Sequence, residues 1–205
     1  SEFDEAMLDK VAEFTELYRK RLHDISWFMR VLNESIARMA NSEDGVTGRF
    51  WEGRFKSQAL LDEQAILSVM AYVDLNPVRA KISVTPKQSD FTSIQLRIKA
   101  AIEGEQPKQL IKFICGEHNS KTKGLNLGLQ DYLALVDSTG RVIKNDKRGA
   151  IDANARSILS RLNISEENWL KITMEFERIF SCAVGSPENL SNYYENIGLS
   201  RRHDI

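Results

Sequence analysis

Residues 62–80 read DEQAILSVMAYVDLNPVRA, a stretch with its own helix start, helix stop and apolar stripe. Asp62 is a favoured N-cap residue because its carboxylate can accept a hydrogen bond from a free backbone N–H of the first turn. Pro77 has no backbone N–H and clashes with the preceding turn, so a helix that reaches it should stop there. The spacing therefore predicts one amphipathic helix from Asp62 to about Asn76.

Tyr72 and Asn76 lie four residues apart, so a helix places them on one face, at the edge of the apolar stripe. A phenol and a carboxamide in that arrangement can serve as a nucleophile and a metal ligand. Tyr72 can also be a boundary residue of the buried face, with Asn76 as a C-terminal cap before proline, and sequence chemistry alone favours this second interpretation. The apolar side chains expected to be buried are Ile66, Val69, Met70 and Val73.

A second stretch, GRFWEGRFKS at residues 48–57, sets cations and aromatic rings around two glycines. Cations contact phosphate, flat rings can stack on bases, and glycine allows close approach of the backbone. Arg49, Arg54 and Lys56 are the expected phosphate contacts, although a solvated loop and an edge strand would carry the same charges. Three rings are available for a core, and at least two of them are expected there: Phe50, Trp51 and Phe55.

The length and composition of the chain limit the kinds of protein that it can be. The chain has 205 residues, 42% of them hydrophobic, which is enough for one domain or two modest ones. No apolar run reaches membrane-spanning length and no signal peptide is visible, so no membrane partner is expected. Cys115 and Cys182 form no CxxC pair, which indicates neither a disulfide framework nor a zinc site. A cytoplasmic location is the default expectation.

The net charge of −1 argues mildly against a nucleic-acid partner, because many DNA-binding domains are clearly basic. The local distribution of charge matters more than the sum, and cations gather around the two stretches. Composition alone leaves DNA binding undecided. The cations concerned are Arg49, Arg54, Lys56, Arg79 and Lys81.

Periodicity and breaker residues predict a mainly α chain with a few short strands. Ser26 is the expected N-cap of the second helix, and Ser89 or Asp90 that of the fourth. A strand is predicted at residues 55–61 and a turn at residues 137–140. The predicted helices cover residues 4–23, 26–41, 62–76, 91–102, 129–136, 152–162, 165–180 and 187–195.

The two stretches, together with FMRVLN at residues 28–33, resemble the REP-associated tyrosine transposases, a group of single-strand DNA transposases. The resemblance covers residues 25–97. It is strongest at residues 48–57 and 72–80, where order, spacing and residue types all match.

This resemblance implies a fold and a division of the chain. Residues 1–103 would be the C-terminal part of an α+β, ferredoxin-like transposase core. Residues 104–205 would be an accessory helical domain, because residues 127–187 are similar to a C-terminal extension of some larger members.

The resemblance also implies a chemistry. In this family a histidine–hydrophobe–histidine motif binds a divalent metal, magnesium or manganese, which polarises a phosphodiester of single-stranded or hairpin DNA. Tyr72 would attack that phosphodiester, giving a 5′-phosphotyrosine and a free 3′-hydroxyl. Asn76 would complete the metal shell.

The histidines of this chain depart from the family pattern. His23, His118 and His203 are the only ones, and no two are separated by a single residue. A single neutral amide oxygen cannot hold a divalent cation, so no cofactor is expected for this chain alone. The family's opening strands are also not recognised here, which predicts a fragment that is inactive by itself.

Three functions remain open at this point. The leading one is a DNA transposase that nicks single-stranded DNA and transfers the strand, present here as an inactive part. The second is a non-catalytic module that binds DNA hairpins. The third is a helical interaction protein whose exposed apolar surface is covered by another copy, in a homodimer.

Overall fold

The structure is a computed structural model of the chain, and it describes residues 5–115, 123–144, 150–180 and 182–198. Over these ranges the chain is mainly helical with a few two-residue strands, as the sequence predicts. None of the helices in these ranges is long and apolar enough to cross a membrane. The backbone contacts divide the chain into two compact units, Ser1–Ser57 and Gln58–Ile205.

The first unit contains two consecutive helices, α1 (Glu5–Leu22) and α2 (Ile25–Glu43), close to the predicted spans. Asp24 caps α2, because its carboxylate accepts a hydrogen bond from the Ser26 N–H at 2.7 Å. The prediction that Ser26 is the cap is therefore wrong. The carboxylate of Asp24 already bonds a free backbone N–H of the first turn, and Ser26 lies inside the helix.

The apolar side chains of α1 are exposed, although the helix is amphipathic as predicted. Val11, Phe14 and Tyr18 expose 61%, 50% and 60% of their surface. No residue of α2 is buried. Among the described residues, the first unit therefore has no sealed core of its own.

The second unit is built from short strands and packed helices. Its strands pair in parallel, β1 (Ala59–Leu60) with β4 (Ala183–Val184) and β2 (Lys112–Phe113) with β3 (Gly124–Leu125). Only β1 forms within the predicted strand at residues 55–61, and the ferredoxin-like remnant stays a prediction because these ladders are too short to identify a sheet. In chain order the described elements are β1 (Ala59–Leu60), α3 (Glu63–Asp74), α4 (Asn76–Arg79), a 3₁₀ turn (Pro86–Gln88), α5 (Ser93–Ile102), β2 (Lys112–Phe113), β3 (Gly124–Leu125), α6 (Leu129–Lys144), α7 (Ala153–Arg161), α8 (Glu166–Ile179), β4 (Ala183–Val184) and α9 (Pro187–Asn196).

Polar side chains cap most of these helices where the sequence predicts a start. Asp62 and Ser165 each accept a hydrogen bond from the backbone N–H three residues later, at 2.8 and 3.2 Å. The cap of α5 is Thr92 and not the predicted Ser89 or Asp90. The Ser89 hydroxyl is instead used within the preceding 3₁₀ turn, where it donates to a backbone carbonyl at 3.2 Å.

The helix that carries Tyr72 ends differently from the prediction. α3 stops at Asp74, and Pro77 lies in the first turn of α4, where its missing N–H costs no helical hydrogen bond. Val73 is 54% exposed, so its predicted burial is wrong. The buried face of α3 differs from the predicted apolar stripe because α3 packs against helices on two sides. Its fully buried residues are Ala65, Leu67, Ser68, Ala71 and Asp74.

The core of the second unit surrounds α6, which runs straight through the turn predicted at residues 137–140. That prediction is wrong because the polar residues of this segment have buried partners. The Thr139 hydroxyl donates to a carbonyl of its own helix at 2.7 Å and accepts from Trp169 Nε1 at 2.9 Å. A Cβ on Gly140 would lie 3.2 Å from Leu75, so the glycine allows α6 to pack closely on the α3–α4 junction.

The structure shows no separation into compact units at the domain boundary expected after residue 103. α3 packs mainly against α8, and α5 packs against α6, so helices from both sides of that boundary share one core. The compact units instead divide after Ser57. The division into a transposase part (residues 1–103) and an accessory part (104–205) stays a prediction about function.

A buried carboxylate, that of Asp74, joins α3, α5 and α6. Its side chain is 1% exposed. Oδ1 accepts hydrogen bonds from the Ser93 hydroxyl and from the Ile94 N–H, the latter at 3.1 Å. Oδ2 accepts from the Tyr132 hydroxyl at 2.6 Å. Burial raises the pKa of Asp74 above its ordinary value, and the hydrogen bonds from Ser93 and Tyr132 oppose this rise.

The raised pKa of Asp74 should make stability depend on pH in a defined direction. The native carboxyl holds its proton more tightly than the unfolded chain does, so its contribution to the free energy of unfolding falls as pH rises from 3.8 through the native pKa. Asp74→Asn should remove this contribution, which amounts to about 1.4 kcal/mol for each tenfold difference in proton affinity between the native and unfolded chains. Urea unfolding of both proteins between about pH 4 and pH 7 measures it. Asp137→Asn, a change at a half-exposed position of α6, is the control and should keep the wild-type slope; equal slopes for wild type and Asp74→Asn would contradict the assignment.

Candidate functional site

Tyr72 faces α8 from the last turns of α3. Its ring is half-buried and lies 5.1 Å, centroid to centroid, from the ring of Phe176. Its hydroxyl donates a hydrogen bond to Glu177 Oε1 at 3.1 Å. The phenol is therefore held by packing on one side and reaches a carboxylate at the surface, which is the boundary position that the sequence predicts.

Arg79, at the end of α4, contacts several of the groups around Tyr72. Its guanidinium carbon lies 3.8 Å from the centroid of the Tyr72 ring. Nη1 donates to the Thr173 carbonyl oxygen and Nη2 donates to Asn76 Oδ1, both at 2.8 Å. α4 begins at Asn76, two residues after the last residue of α3, and this short helix brings Arg79 over the Tyr72 ring. We call Tyr72, Asn76, Arg79, Thr173 and Glu177 the phenol cluster.

The electrostatics of the phenol cluster keep the tyrosine protonated at neutral pH. Desolvation raises the pKa of Tyr72 above 10.0, and the hydrogen bond and negative charge of Glu177 raise it further. The positive charge of Arg79 lowers the pKa and only partly offsets these effects. A phenol in this state attacks only if a base accepts its proton during the reaction, and Glu177 is in hydrogen-bonding reach.

The residues around Asn76 do not fit a divalent metal. The amide oxygen of Asn76 already accepts from the Arg79 guanidinium, and this cation would repel a metal ion placed beside it. Among the described residues, no three His, Cys, Asp or Glu side chains form a group that could hold a metal. His23 bonds to the Arg19 carbonyl within α1, and His118 and His203 lie outside the described residues. The described residues therefore supply no further ligands that could bind a metal ion together with Asn76.

The first unit contains a groove of about 400 Å³ between α2 and the loop at residues 44–57. The loop is fixed to the helix because Trp51 Nε1 donates to the Asn33 carbonyl oxygen at 3.0 Å. Arg30 and Arg54 line the groove together with the rings of Trp51 and Phe55. Two cations beside two aromatic rings form a surface that can bind a nucleotide strand by phosphate contact and stacking.

The predicted core role of the three rings is wrong for two of them. Phe50 and Trp51 expose 41% and 40% of their surface, and they contact each other edge-to-face at 4.9 Å. Only Phe55 is half-buried. The loop contains three glycines and folds as an irregular segment against one helix, which leaves these rings outside a core.

The predicted phosphate contacts have different surroundings. Arg49 binds its own loop, since Nε and Nη2 donate to the carbonyl oxygens of Trp51 and Glu52 at 2.8 and 2.6 Å. Arg54 and Lys56 are exposed and form no ion pair with a described residue. Arg49 is therefore a structural clamp of the loop, and the other two cations are free to contact a ligand.

Arg79 and Lys81 belong to the second unit, so the structure does not test the predicted grouping of all five cations. Arg79 is half-buried in the phenol cluster. Lys81 is exposed and has a left-handed backbone, with φ of 58°. Its role in DNA binding stays a prediction.

No protein-family model, curated protein or solved structure matches the chain. The phenol cluster and the groove must therefore be interpreted from their own geometry. Two residues of the cluster, Thr173 and Glu177, were not identified from the sequence. They lie four residues apart on the predicted helix at residues 165–180, but no pattern in the sequence says that this face meets Tyr72.

The pKa of Tyr72 should respond in opposite directions to its two charged neighbours. Glu177→Gln removes a negative charge and should lower this pKa, whereas Arg79→Met removes the cation and should raise it. Titration of [¹³Cζ]tyrosine by NMR, with Tyr72→Phe to assign the signal, measures both changes. Glu167→Gln, at the exposed start of α8, is the matched control and should leave the curve in place. A Tyr72 signal that ignores both substitutions would show that the cluster does not exist in solution.

Proposed function

We propose that the chain is the DNA-handling part of a tyrosine transposase, in which Tyr72 is the nucleophile that attacks single-stranded or hairpin DNA. The observation that carries this proposal is the phenol cluster. It holds a nucleophile, a carboxylate in reach of the nucleophile's proton and a cation suited to phosphate at one surface position. These are the groups that phosphoryl transfer to a tyrosine requires.

The proposed step is a displacement at phosphorus. The Tyr72 oxygen forms a bond to the phosphorus as the bond from phosphorus to the 3′ oxygen of the preceding nucleotide breaks. Glu177 accepts the phenolic proton, which then passes to the departing 3′ oxygen. The products are a 5′-phosphotyrosine and a free 3′-hydroxyl, so charge and protons balance.

Arg79 has two roles in this step. Over the ring of Tyr72 it stabilises negative charge that develops on the phenolic oxygen. Its guanidinium also carries donors for the oxygens of the attacked phosphate. Asn76 positions Arg79 through their 2.8 Å hydrogen bond.

The proposal includes a requirement that this chain does not meet alone. The sequence contains no His-x-His pair, and the donors around Asn76 do not fit a divalent ion. We propose that the intact transposase acts in the cytoplasm with magnesium or manganese held by such a pair. The steps above involve only the residues of this chain.

A DNA substrate with a better leaving group tests the role of Tyr72 in this chain itself. In a hairpin oligonucleotide whose 3′-bridging oxygen is replaced by sulfur, the departing group is a thiolate that needs less stabilisation. We expect wild-type protein to form a covalent adduct with this hairpin and none with the unmodified hairpin. Tyr72→Phe should abolish the adduct, and Glu177→Gln should slow its formation roughly 100-fold.

Denaturing gel electrophoresis and mass spectrometry of the tryptic adduct identify the modified residue. Tyr193→Phe, a change at another tyrosine of the second unit, is the matched control and should form the adduct at the wild-type rate. An adduct that persists in Tyr72→Phe, or none with the wild-type protein, would refute the nucleophile assignment.

A second candidate function is a non-catalytic module that binds DNA hairpins. The raised pKa of Tyr72 and the engagement of Asn76 by Arg79 favour it, because both groups are tied up in contacts within the protein. The groove of the first unit would then carry the binding, with Arg54 as a phosphate contact and Trp51 as a stacking surface. Lys56, an exposed residue of the same loop, would contact phosphate beside the groove.

Charge reversal in the first unit tests this DNA binding. Arg54→Glu combined with Lys56→Glu should weaken hairpin binding at least tenfold and reduce the slope of log affinity against log salt by about two. Arg49 is left unchanged because it holds the loop. Fluorescence anisotropy between about 50 and 200 mM salt measures the slope. Lys20→Glu with Arg38→Glu makes the same change in charge on α1 and α2, and equal losses in both double variants would point to net charge alone.

A third candidate is a helical interaction protein that forms a homodimer. The exposed apolar residues of α1 favour it, since such surfaces mark contact sites in soluble proteins. This interaction is compatible with the transposase function, because the phenol cluster lies in the other unit.

A further inference from the structure

The second unit contains a cavity of about 500 Å³ that the proposed chemistry does not use. It lies between α3, α8 and the segment that leads from β4 into α9. Its volume is within the range of roughly 300–1,000 Å³ that is typical of small-molecule sites in proteins.

The inner wall of the cavity is apolar except for one hydroxyl. Ile172, Phe180, Val184 and Leu190 supply apolar surface. Ser68 lines the same wall, is 2% exposed, and makes no hydrogen bond with any residue that the structure describes. Because the Ser68 hydroxyl faces the cavity and makes no hydrogen bond there, it is available to bond a ligand.

The polar lining of the cavity carries one free cation. Lys171 is exposed on α8 and forms no ion pair with a described residue, and Asn168 lies one turn before it. The carboxylate of Asp62 also lines the cavity, but its oxygens already accept from the N–H groups of Ala65 and Ser186, at 2.8 and 2.6 Å. The lining thus holds one acid, whose oxygens are already hydrogen-bonded, and one lysine that has no ion-pair partner among the described residues.

We propose that this cavity binds a small amphipathic carboxylate, with its apolar tail against the inner wall and its carboxylate on Lys171 and Asn168. The tail would displace water from apolar surface, which contributes roughly 25 cal/mol for each Å² that it buries. The single cation selects a single negative charge. The Ser68 hydroxyl can donate to a carboxylate oxygen or to a polar atom of the tail.

The site is joined to the phenol cluster by three aromatic rings. Phe180 lines the cavity, its centroid is 5.4 Å from that of Phe176, and Phe176 is 5.1 Å from Tyr72. Ser68 and Tyr72 also lie one helical turn apart on α3. A ligand in the cavity therefore contacts the packing that holds the phenol, although its binding does not depend on any activity of Tyr72.

Three probes separate the contributions of head and tail. Octanoate has both, 1-octanol has the tail without the charge, and acetate has the head without the tail. We expect octanoate to shift the methyl NMR signals of Ile172, Val184 and Leu190 with a dissociation constant at least fivefold lower than that of octanol. Acetate should cause no shift at these methyl groups.

Two substitutions locate the ligand. Lys171→Met should weaken octanoate binding about fivefold to tenfold and leave octanol binding unchanged, because an ion pair at a partly exposed site contributes modestly. Lys99→Met, the same change at an exposed position of α5, is the control and should leave both affinities at their wild-type values. Ser68→Leu fills the cavity and should abolish both interactions.

The proposal fails if octanol binds as tightly as octanoate, if Lys171→Met leaves octanoate binding unchanged, or if the three methyl groups do not respond to octanoate. Lys171 is at the surface, so its substitution remains informative even if Ser68→Leu does not fold. Ser68→Ala, which removes only the hydroxyl, should reduce octanoate affinity roughly threefold in the folded protein.

Discussion

The buried carboxylate of Asp74 is the contact on which the arrangement of the second unit depends. It accepts hydrogen bonds from the start of α5 and from Tyr132 on α6, so three helices meet at one charged group. Such a group is costly to bury unless every oxygen is satisfied. Satisfying it fixes the rotation of α3 about its axis. Tyr72, two residues earlier and on the other side of that helix, is thereby directed towards α8.

One side of α3 is part of the core, and the other side carries the residue proposed to react. The side with Asp74 and Ala71 is sealed in the core, whereas the side with Tyr72 meets a helix that leaves its polar edge exposed. α8 contributes Thr173 to one end of the phenol cluster and Glu177 to the other. A half-exposed phenol beside a carboxylate can thus exist without weakening the core, because the costly desolvated groups lie on the opposite face.

Local chemistry allowed most of the helices to be predicted from the sequence, and tertiary contacts explain the failures. Caps such as Asp62 act within one turn, so their signal is readable in a short stretch. The residues of the segment ending in Gly140 favour a turn in isolation, yet a buried hydrogen bond from Trp169 to Thr139 stabilises the helical conformation. Tyr72 and Asn76 lie on the successive helices α3 and α4, and Arg79 contacts both of them. Glu177 could not be predicted as their partner, since 105 residues separate it from Tyr72 and only the fold joins them.

The contacts of Arg79 decide whether the phenol cluster can accept a phosphate at all. A guanidinium has five N–H donors, and the contacts to Thr173 and Asn76 use two of its nitrogens once each. Donors therefore remain for phosphate oxygens without breaking either contact. The same two bonds hold the arginine over the Tyr72 ring before any ligand arrives, which reduces the entropy lost on binding. A cation that is already positioned and still has free donors is what distinguishes a phosphate site from a surface ion pair.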